Sequence, residues 1–224
     1  MKNTTLYIVA TPIGNMEDIT LRALRVLGEV DTVFCEDTRV TGRLLHHHGI
    51  KAHMISMNAR TEEHKIEQAL ALLGEGKDIA YVSDAGTPGI SDPGVRLVAR
   101  AGEAGARIAA VPGPSALTAA LSIAGVPTNK FTFLGFLPQK KGRQTALKEI
   151  AQKQETIVLY ESTHRIVKFL KEAQEYFSDK KITLARELTK MHEEVLKGSA
   201  PELLEKLEAS PQKQKGEFVV IIHT

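Results

Sequence analysis

Little in the chain would cross-link it or set it in a membrane. Cys35 is the only cysteine among 224 residues, so no internal disulfide can form. Its place in the apolar run Thr32-Val33-Phe34-Cys35 suits a buried small hydrophobe better than a reactive thiol. No stretch approaches the roughly 18 to 20 consecutive apolar residues of a spanning helix. The start, Met-Lys-Asn-Thr-Thr before a short apolar run, lacks the long apolar region and cleavage site of a secretory signal. A cytoplasmic protein that makes no membrane contact is expected. No Gly-Lys-Ser/Thr closes a glycine-rich loop and no Gly-x-Gly-x-x-Gly follows the first strand-like run, which excludes a P-loop and the common dinucleotide fingerprint. His46, His47 and His48 are adjacent on a helix-like stretch and point in different directions, whereas helical metal ligands sit four apart, so no metal is expected. There is neither a short repeat nor a low-complexity segment.

What is present fits one or two compact domains: 42% hydrophobic and 25% charged residues, with a formal charge of +2. The charge is uneven. Residues 1–129 hold 12 Lys and Arg against 14 Asp and Glu, and residues 130–224 hold 17 against 13. A basic second half suits a polyanionic partner.

Leu6-Tyr7-Ile8-Val9-Ala10 is a nearly continuous apolar run stopped by Thr11-Pro12-Ile13-Gly14-Asn15, the pattern of a buried parallel strand entering a loop. Thr32–Cys35, Ile79–Val82 and Ile108–Val111 repeat it, with a weaker strand at Ala52–Ser56 and helical spacing at Ile66, Ala69, Leu70 and Leu73 between. The alternation predicts a parallel sheet covered on both faces. After the stretch 125–129 the pattern restarts at Phe131–Gly135, Thr156–Tyr160, Ile182–Ala185, Glu193–Leu196 and Phe218–Ile222. Helices are expected at Arg165–Phe177 and Leu203–Leu207, and some strands follow each other closely enough to be antiparallel. The expectation is therefore an α/β fold of two domains, a parallel-sheet domain at 1–124 and a mixed-sheet domain at 130–224, joined by a linker at 125–129.

In an open α/β sheet, ligands bind beyond the carboxyl ends of parallel strands. The richest loops lie there: Thr11–Asn15, Glu36–Arg39, Ser83–Gly94 and Pro112–Ser115. Glycines admit a ligand to the main chain, prolines stiffen the loops, and Ser, Thr and Asp offer partners to ribose hydroxyls or an amino group. A polar small-molecule site follows. Within it, Ser91-Asp92-Pro93-Gly94 equally suits a helix cap, Ser or Asp capping with Pro in the first turn.

Leu-Tyr-Ile-Val-Ala-Thr-Pro-Ile-Gly-Asn from Leu6, Cys-Glu-Asp-Thr-Arg from Cys35, Val-Ser-Asp-Ala-Gly-Thr-Pro-Gly-Ile-Ser-Asp-Pro-Gly from Val82 and Val-Pro-Gly-Pro-Ser-Ala from Val111 are followed by Gly-Phe-Leu-Pro from Gly135, Tyr-Glu-Ser-Thr-His-Arg from Tyr160 and Ala-Arg-Glu-Leu-Thr-Lys from Ala185. Together, in this order, they make the chain resemble the ribosomal RNA small subunit methyltransferase I family of the tetrapyrrole methylase superfamily, from Leu6 to about Ile222. The resemblance implies a tetrapyrrole methylase-like fold with S-adenosyl-L-methionine in a cleft between two α/β domains, and a homodimer. It also implies methyl transfer to a cytidine 2′-hydroxyl in the decoding region of 16S ribosomal RNA, within the small subunit. Many members carry a further C-terminal helical segment of several tens of residues, whereas this sequence stops at Thr224, directly after the strand-like run Glu217–Ile222.

On that resemblance, cofactor contacts are expected from Pro12, Ile13, Gly14, Ser83, Asp84, Ala85, Gly86, Thr87, Pro112, Gly113, Ser115, Tyr160, Glu161, Ala185 and Leu188. Glu187, Lys190 and Glu161 are the expected catalytic residues, Glu187 as proton acceptor or orienting group with Lys190 lowering the pKa of the ribose hydroxyl. Lys140, Lys141 and Arg143, with Arg165 and Arg186, are expected on RNA phosphate. Two other readings stay open at this point: methyl transfer to a tetrapyrrole or a protein by a member of the same superfamily, and a non-catalytic RNA-binding or cofactor-sensing protein.

Overall fold

The computed structural model describes residues 4–223; the reading of the amino terminus at residues 1–3 and of the last residue lies outside them. The described chain divides into two compact units after Ser115.

The first unit holds β1 (Thr5–Val9), α1 (Leu21–Glu29), β2 (Thr32–Cys35), α2 (Thr38–His47), β3 (Met54–Ser56), α3 (Glu62–Gly74), β4 (Ile79–Val82), α4 (Val95–Glu103) and β5 (Arg107–Val111). Its five strands are all parallel, in the order β3-β2-β4-β1-β5. Strand alternation sends Val9, Val33, Cys35, Ala80 and Val82 to one face, against Ala23, Val26 and Leu27 of α1 and Leu44 and Leu45 of α2. Leu6, Phe34, Ile79 and Tyr81 go to the other, against Ile66, Ala69 and Leu73 of α3 and Leu97 and Ala101 of α4. Both faces are thus covered, which is why these strands read as continuous apolar runs. Cys35 is fully buried, as its neighbours predicted.

The start of α4 differs from expectation. Its N-cap is Gly94, at φ +119, not Ser91 or Asp92. A Cβ at Gly94 would meet the Tyr81 ring at 2.5 Å, and the Gly94 amide is taken up by the Glu62 carboxylate, 3.1 Å away, instead of by a local side chain. The helix packs too closely over Tyr81 for a side chain at its cap position.

The second unit holds α5 (Ala116–Ala124), β6 (Phe131–Phe136), α6 (Arg143–Gln152), β7 (Thr156–Ser162), α7 (Ile166–Tyr176), β8 (Lys181–Arg186), β9 (Glu194–Gly198), α8 (Ala200–Ala209) and β10 (Glu217–His223). The sheet order is β6-β7-β10-β8-β9, with β6 parallel to β7 and every other pair antiparallel, the mixed sheet expected. One face, with Ile157, Leu159, Ile182, Leu184, Val220 and Ile222, packs on Leu147 and Ile150 of α6, Phe169 and Leu170 of α7 and Leu203 and Leu207 of α8. The opposite face meets α5, which contacts β10 and β8 and is tied by Lys197 Nζ donating to the Ala124 carbonyl at 2.5 Å. This packing draws α5 into the second unit, so the units part after Ser115 and not at 125–129.

Candidate functional site

In the first unit β1 feeds α1 on one face of the sheet and β4, its neighbour, feeds α4 on the other. Adjacent strands whose chains leave in opposite directions open a crevice at their carboxyl ends, the preferred ligand site of such sheets. The four loops predicted from sequence meet there and are tied together by the main chain. Thr11 and Gly86 exchange a pair of amide-to-carbonyl bonds, at 2.9 and 3.0 Å, which staple the β1 loop to the β4 loop. The Thr11 hydroxyl donates to the Ser83 carbonyl at 3.1 Å, and the Thr87 hydroxyl to the Pro114 carbonyl at 3.2 Å, extending the staple to the β5 loop. Gly86 takes φ +78, and a Cβ on Gly113 would sit 3.1 Å from that of Ala10, so both glycines are needed for this close fit.

Three carboxylates gather on this edge, each pushed above its ordinary range. Glu36 is raised first by burial and then by the charges of Asp84 and Asp92. Asp84 is raised by burial, against the lowering effect of the Asp37 amide, which donates to its Oδ1 at 3.0 Å. Asp92 is raised by burial, against a hydrogen bond from Ser83. Ser83 itself is buried and its hydroxyl turns into its own loop, towards the Ala85 and Gly86 carbonyls. Its side chain therefore holds the loop and leaves the main chain of Ser83 for any ligand contact. Beneath lies Tyr81, fully buried, its hydroxyl without a hydrogen-bond partner.

In the second unit the expected residues behave in three ways. Glu187 and Lys190 come together: Lys190 Nζ donates to Glu187 Oε1 and to Glu217 Oε2, each at 2.9 Å, and the Glu217 amide donates to the same Glu187 oxygen at 2.9 Å. Burial pushes the Glu187 carboxyl up, but the Glu217 amide and Lys190 outweigh it and hold the group below its ordinary value. Partial burial pulls the Lys190 ammonium down, but Glu217 and Glu187 outweigh that and hold it above. The turn is strained, since Glu187 and Thr189 adopt φ of 50° and 63°. Such conformations cost a non-glycine residue about 1–3 kcal/mol each and gather at functional sites. Gly216 makes room for the arrangement, because a Cβ there would lie 2.5 Å from Glu187 Cγ. The Thr163 hydroxyl fixes Gly216, accepting from its amide at 2.7 Å and donating to its carbonyl at 2.8 Å.

Glu161 is not beside them. It belongs to β7, is 1% exposed, and points to Arg143 and Arg165, with Oε1 3.3 Å from Arg165 Nε and Oε2 3.9 Å from Arg143 Nη2. A carboxylate so enclosed does not reach a ribose, which corrects the catalytic role expected of it and leaves only its main chain for a cofactor contact. The arginines expected on phosphate also turn inward. Arg143 is 4% exposed, lies 2.6 Å from Glu172 and donates to the Pro138 carbonyl at 3.1 Å. Arg186 is 7% exposed and donates to the Lys215, His192 and Gln212 carbonyls at 2.7, 3.0 and 3.2 Å. Arg165 donates to the Leu137 carbonyl. Of the five expected, only Lys140 and Lys141 are exposed. Ala185 and Leu188 are buried, so any ligand there meets main chain. Sequence reasoning missed Glu217, Thr163 and Gly216; for Gly216 and Glu217 the signal was the Gly-Glu pair at the start of β10.

The scaffold and the loops it carries define a class. Residues 5–204 match the family model of the tetrapyrrole (corrin/porphyrin) methylases. Two solved structures share the fold: a cobalt precorrin-4 methyltransferase, a cobalamin biosynthetic enzyme (TM-score 0.71, 21% identity, 97% of this chain and 94% of that one), and a uroporphyrin-III C-methyltransferase from Thermus thermophilus (TM-score 0.66, 21% identity, 97% and 93%). Sequence relatives narrow the class. The ribosomal RNA small subunit methyltransferase I of Escherichia coli O157:H7 is 48% identical over 97% of this chain and 77% of its own length. That of Thermotoga maritima is 45% identical over 97% of both. The chain belongs to the ribosomal RNA small subunit methyltransferase I family, S-adenosylmethionine-dependent methyltransferases on the tetrapyrrole methylase fold.

Proposed function

We propose that this chain methylates the 2′-hydroxyl of a cytidine in the decoding region of 16S ribosomal RNA, acting in the cytoplasm as a homodimer on the small ribosomal subunit. The observation that carries the choice of methyl donor is the crowd of Glu36, Asp84 and Asp92 on an edge otherwise built of main chain. A ligand bearing an ammonium and a sulfonium relieves their mutual repulsion, while Gly86 and Gly113 leave the main chain open to its nucleoside. The donor set of the first unit fits S-adenosylmethionine: Pro12, Ile13, Gly14, Ala85–Thr87, Pro112, Gly113 and Ser115 stand on the loops of this edge, with Asp84 for a cationic or hydroxyl group. When bound, the cofactor supplies a methyl group already activated on sulfur, so no metal is needed.

The protein has to align the hydroxyl, exclude water and deal with its proton. Lys190, fixed as a cation by two carboxylates, lowers the pKa of a hydroxyl placed beside it. Glu187 stays a carboxylate and is a weak base for the same reason. Its part is therefore to orient Lys190 and the ribose more than to store the proton.

The test is transfer of labelled methyl from S-adenosylmethionine to unmethylated small subunits, followed by alkaline digestion. A 2′-O-methyl group blocks cleavage at its own linkage, so label in an alkali-resistant dinucleotide with methylated cytidine is the expected result. Cofactor binding without transfer would overturn the reading in favour of a non-catalytic protein, and transfer to a porphyrinoid or a protein in place of RNA would overturn the substrate.

A further inference from the structure

β6 is an edge strand, and three aromatic rings lie together where it runs beside β7. Phe133 and Phe136 both stand edge-on to Tyr160, with centroids 5.0 and 5.6 Å away. A simple strand would not allow this, because residues three apart point to opposite faces. Here the pairing slips: Phe133 lies opposite Val158 and Phe136 opposite Tyr160, so three steps on β6 match two on β7. The extra residue is a bulge at Leu134-Gly135, with Gly135 at φ +60, and it turns Phe136 onto the same face as Phe133 and Tyr160. α5 covers this face over β10 and β8, yet at the β6 edge Phe136 stays 53% exposed and Phe131 39%.

The turn after Phe136 is held rigid from behind. Arg165 donates to the Leu137 carbonyl and Arg143 to that of Pro138. The arginines that fail to reach solvent thus build the segment that presents Phe136 before the turn and exposed Lys140 and Lys141 within it. Among the described residues no carboxylate pairs with either lysine, whereas Lys130 at the other end of β6 is matched by Glu155.

We propose that Phe136, buttressed by Phe133 and Tyr160, is a stacking platform for an unpaired base of single-stranded RNA, and that Lys140 and Lys141 take the phosphates alongside. Base-on-aromatic stacking next to lysine is how proteins hold single strands. A protein partner fits less well, because lysine is depleted from protein–protein interfaces. The proposal rests on the RNA methyltransferase reading and says where that substrate lies.

The chain contains no tryptophan, so Phe136→Trp installs a single reporter. We expect Phe136→Ala to weaken binding of a fluorescein-labelled single-stranded oligoribonucleotide about tenfold, leaving the already weaker binding of the same strand in a duplex unchanged. The Phe136→Trp variant should keep wild-type affinity, its fluorescence quenched by the single strand alone. Replacing Lys140 and Lys141 with Ala should lower the salt dependence of log Kd by about one for each lysine. Wild-type affinity in Phe136→Ala, or no quenching in Phe136→Trp, would overturn the platform. So would a change in the oligomeric mass of Phe136→Ala at constant RNA affinity, which would assign the face to a second copy of the chain. Methyl transfer to small subunits by the wild-type protein, run in parallel, separates the two readings. Transfer with an unchanged KM in Phe136→Ala overturns the platform alone, and no transfer by the wild type overturns the function it rests on.

Discussion

The two units solve the problem of holding a site in opposite ways. On the first, the loops after β1, β4 and β5 are stapled by uncharged groups, the main chains of Thr11 and Gly86 and the Thr87 hydroxyl on the Pro114 carbonyl, and the carboxylates of the edge are left crowded. On the second, the enclosed charges are matched: Lys190 sits between Glu187 and Glu217, and Arg143 between Glu172 and Glu161. Here the cost lies in the backbone, at the positive φ of Glu187 and Thr189. An edge of unbalanced charge on an unstrained staple suits a site that waits for a cation. A balanced cluster on a strained turn suits one that must hold a fixed ammonium in place, with or without substrate.

The comparison breaks most visibly at Arg143. Removing this guanidinium by Arg143→Leu strands Glu161 and Glu172 beneath the Pro138 turn. Loss of one partner of a buried pair costs about 3–5 kcal/mol, so chemical denaturation should show a loss of that order. A loss under 1 kcal/mol would mean the network is solvated and its burial overstated. Next comes Glu187→Gln, which keeps the shape but loses the charge that holds Lys190. Turnover on small subunits should fall about 100-fold, within the usual range for acid–base groups, with the cofactor dissociation constant unchanged by calorimetry. Unaltered turnover would remove Glu187 from the mechanism.

The first unit should respond to shape. Gly113→Val places bulk where even a Cβ would be 3.1 Å from that of Ala10, pushing the β5 loop off the staple. A loss of cofactor affinity of roughly tenfold or more follows, since each 1.4 kcal/mol is a factor of ten. Gly74→Ala, where nothing lies within 4 Å of the added Cβ, is the matched control and should bind as wild type.

That control also marks how far the sequence can be read. Most strands were legible because they are short apolar runs between punctuating residues, and the loops were legible because their Gly, Pro and Asp content exceeds what a turn requires. Direction over long range was not. Nothing near Arg143 announces Glu172, 29 residues on, and nothing near Arg186 announces the carbonyls of Gln212 and Lys215. Both therefore read as free cations on basic segments. The bulge in β6 was hidden too, because Gly135 reads equally as an ordinary strand residue until its register against β7 is known. The stretch 116–124 falls within the first domain on sequence, since the packing of α5 on β10 joins residues about 100 apart.

Acidity separates the units by sign. Glu36, Asp84 and Asp92 have raised pKa values in the fold. Their contribution to stability is full below the unfolded carboxyl values and falls as pH rises through the window up to the raised ones. Glu187 is lowered, so its contribution is present above its unfolded value and disappears as pH falls through the lowered one. A bound cation favours the charged forms in the first unit, so cofactor binding should release protons, and affinity should climb with pH until the raised groups have titrated. Calorimetry in two buffers of different ionisation enthalpy measures that release; proton uptake would show that the carboxylates do not face the ligand. Asp84→Asn should flatten the profile.

The smallest effect lies at Thr163, and it tests whether the strained turn needs its support. The hydroxyl both accepts from and donates to Gly216, and Gly216 is where a Cβ would collide with Glu187. Thr163→Val keeps the volume and removes both bonds, each with a net value of about 1 kcal/mol, so stability should drop by roughly 1–2 kcal/mol. The Gly216 segment is then free to shift against Glu187, and the amide of Glu217 loses its aim on the carboxylate. If that amide helps hold the Glu187 pKa down, the acid limb of the pH profile of kcat should move to higher pH in Thr163→Val and return in Thr163→Ser, which restores the hydroxyl. A lower stability with an unmoved acid limb would leave Thr163 a structural tie only, and Lys190 alone would then have to account for the low pKa of Glu187.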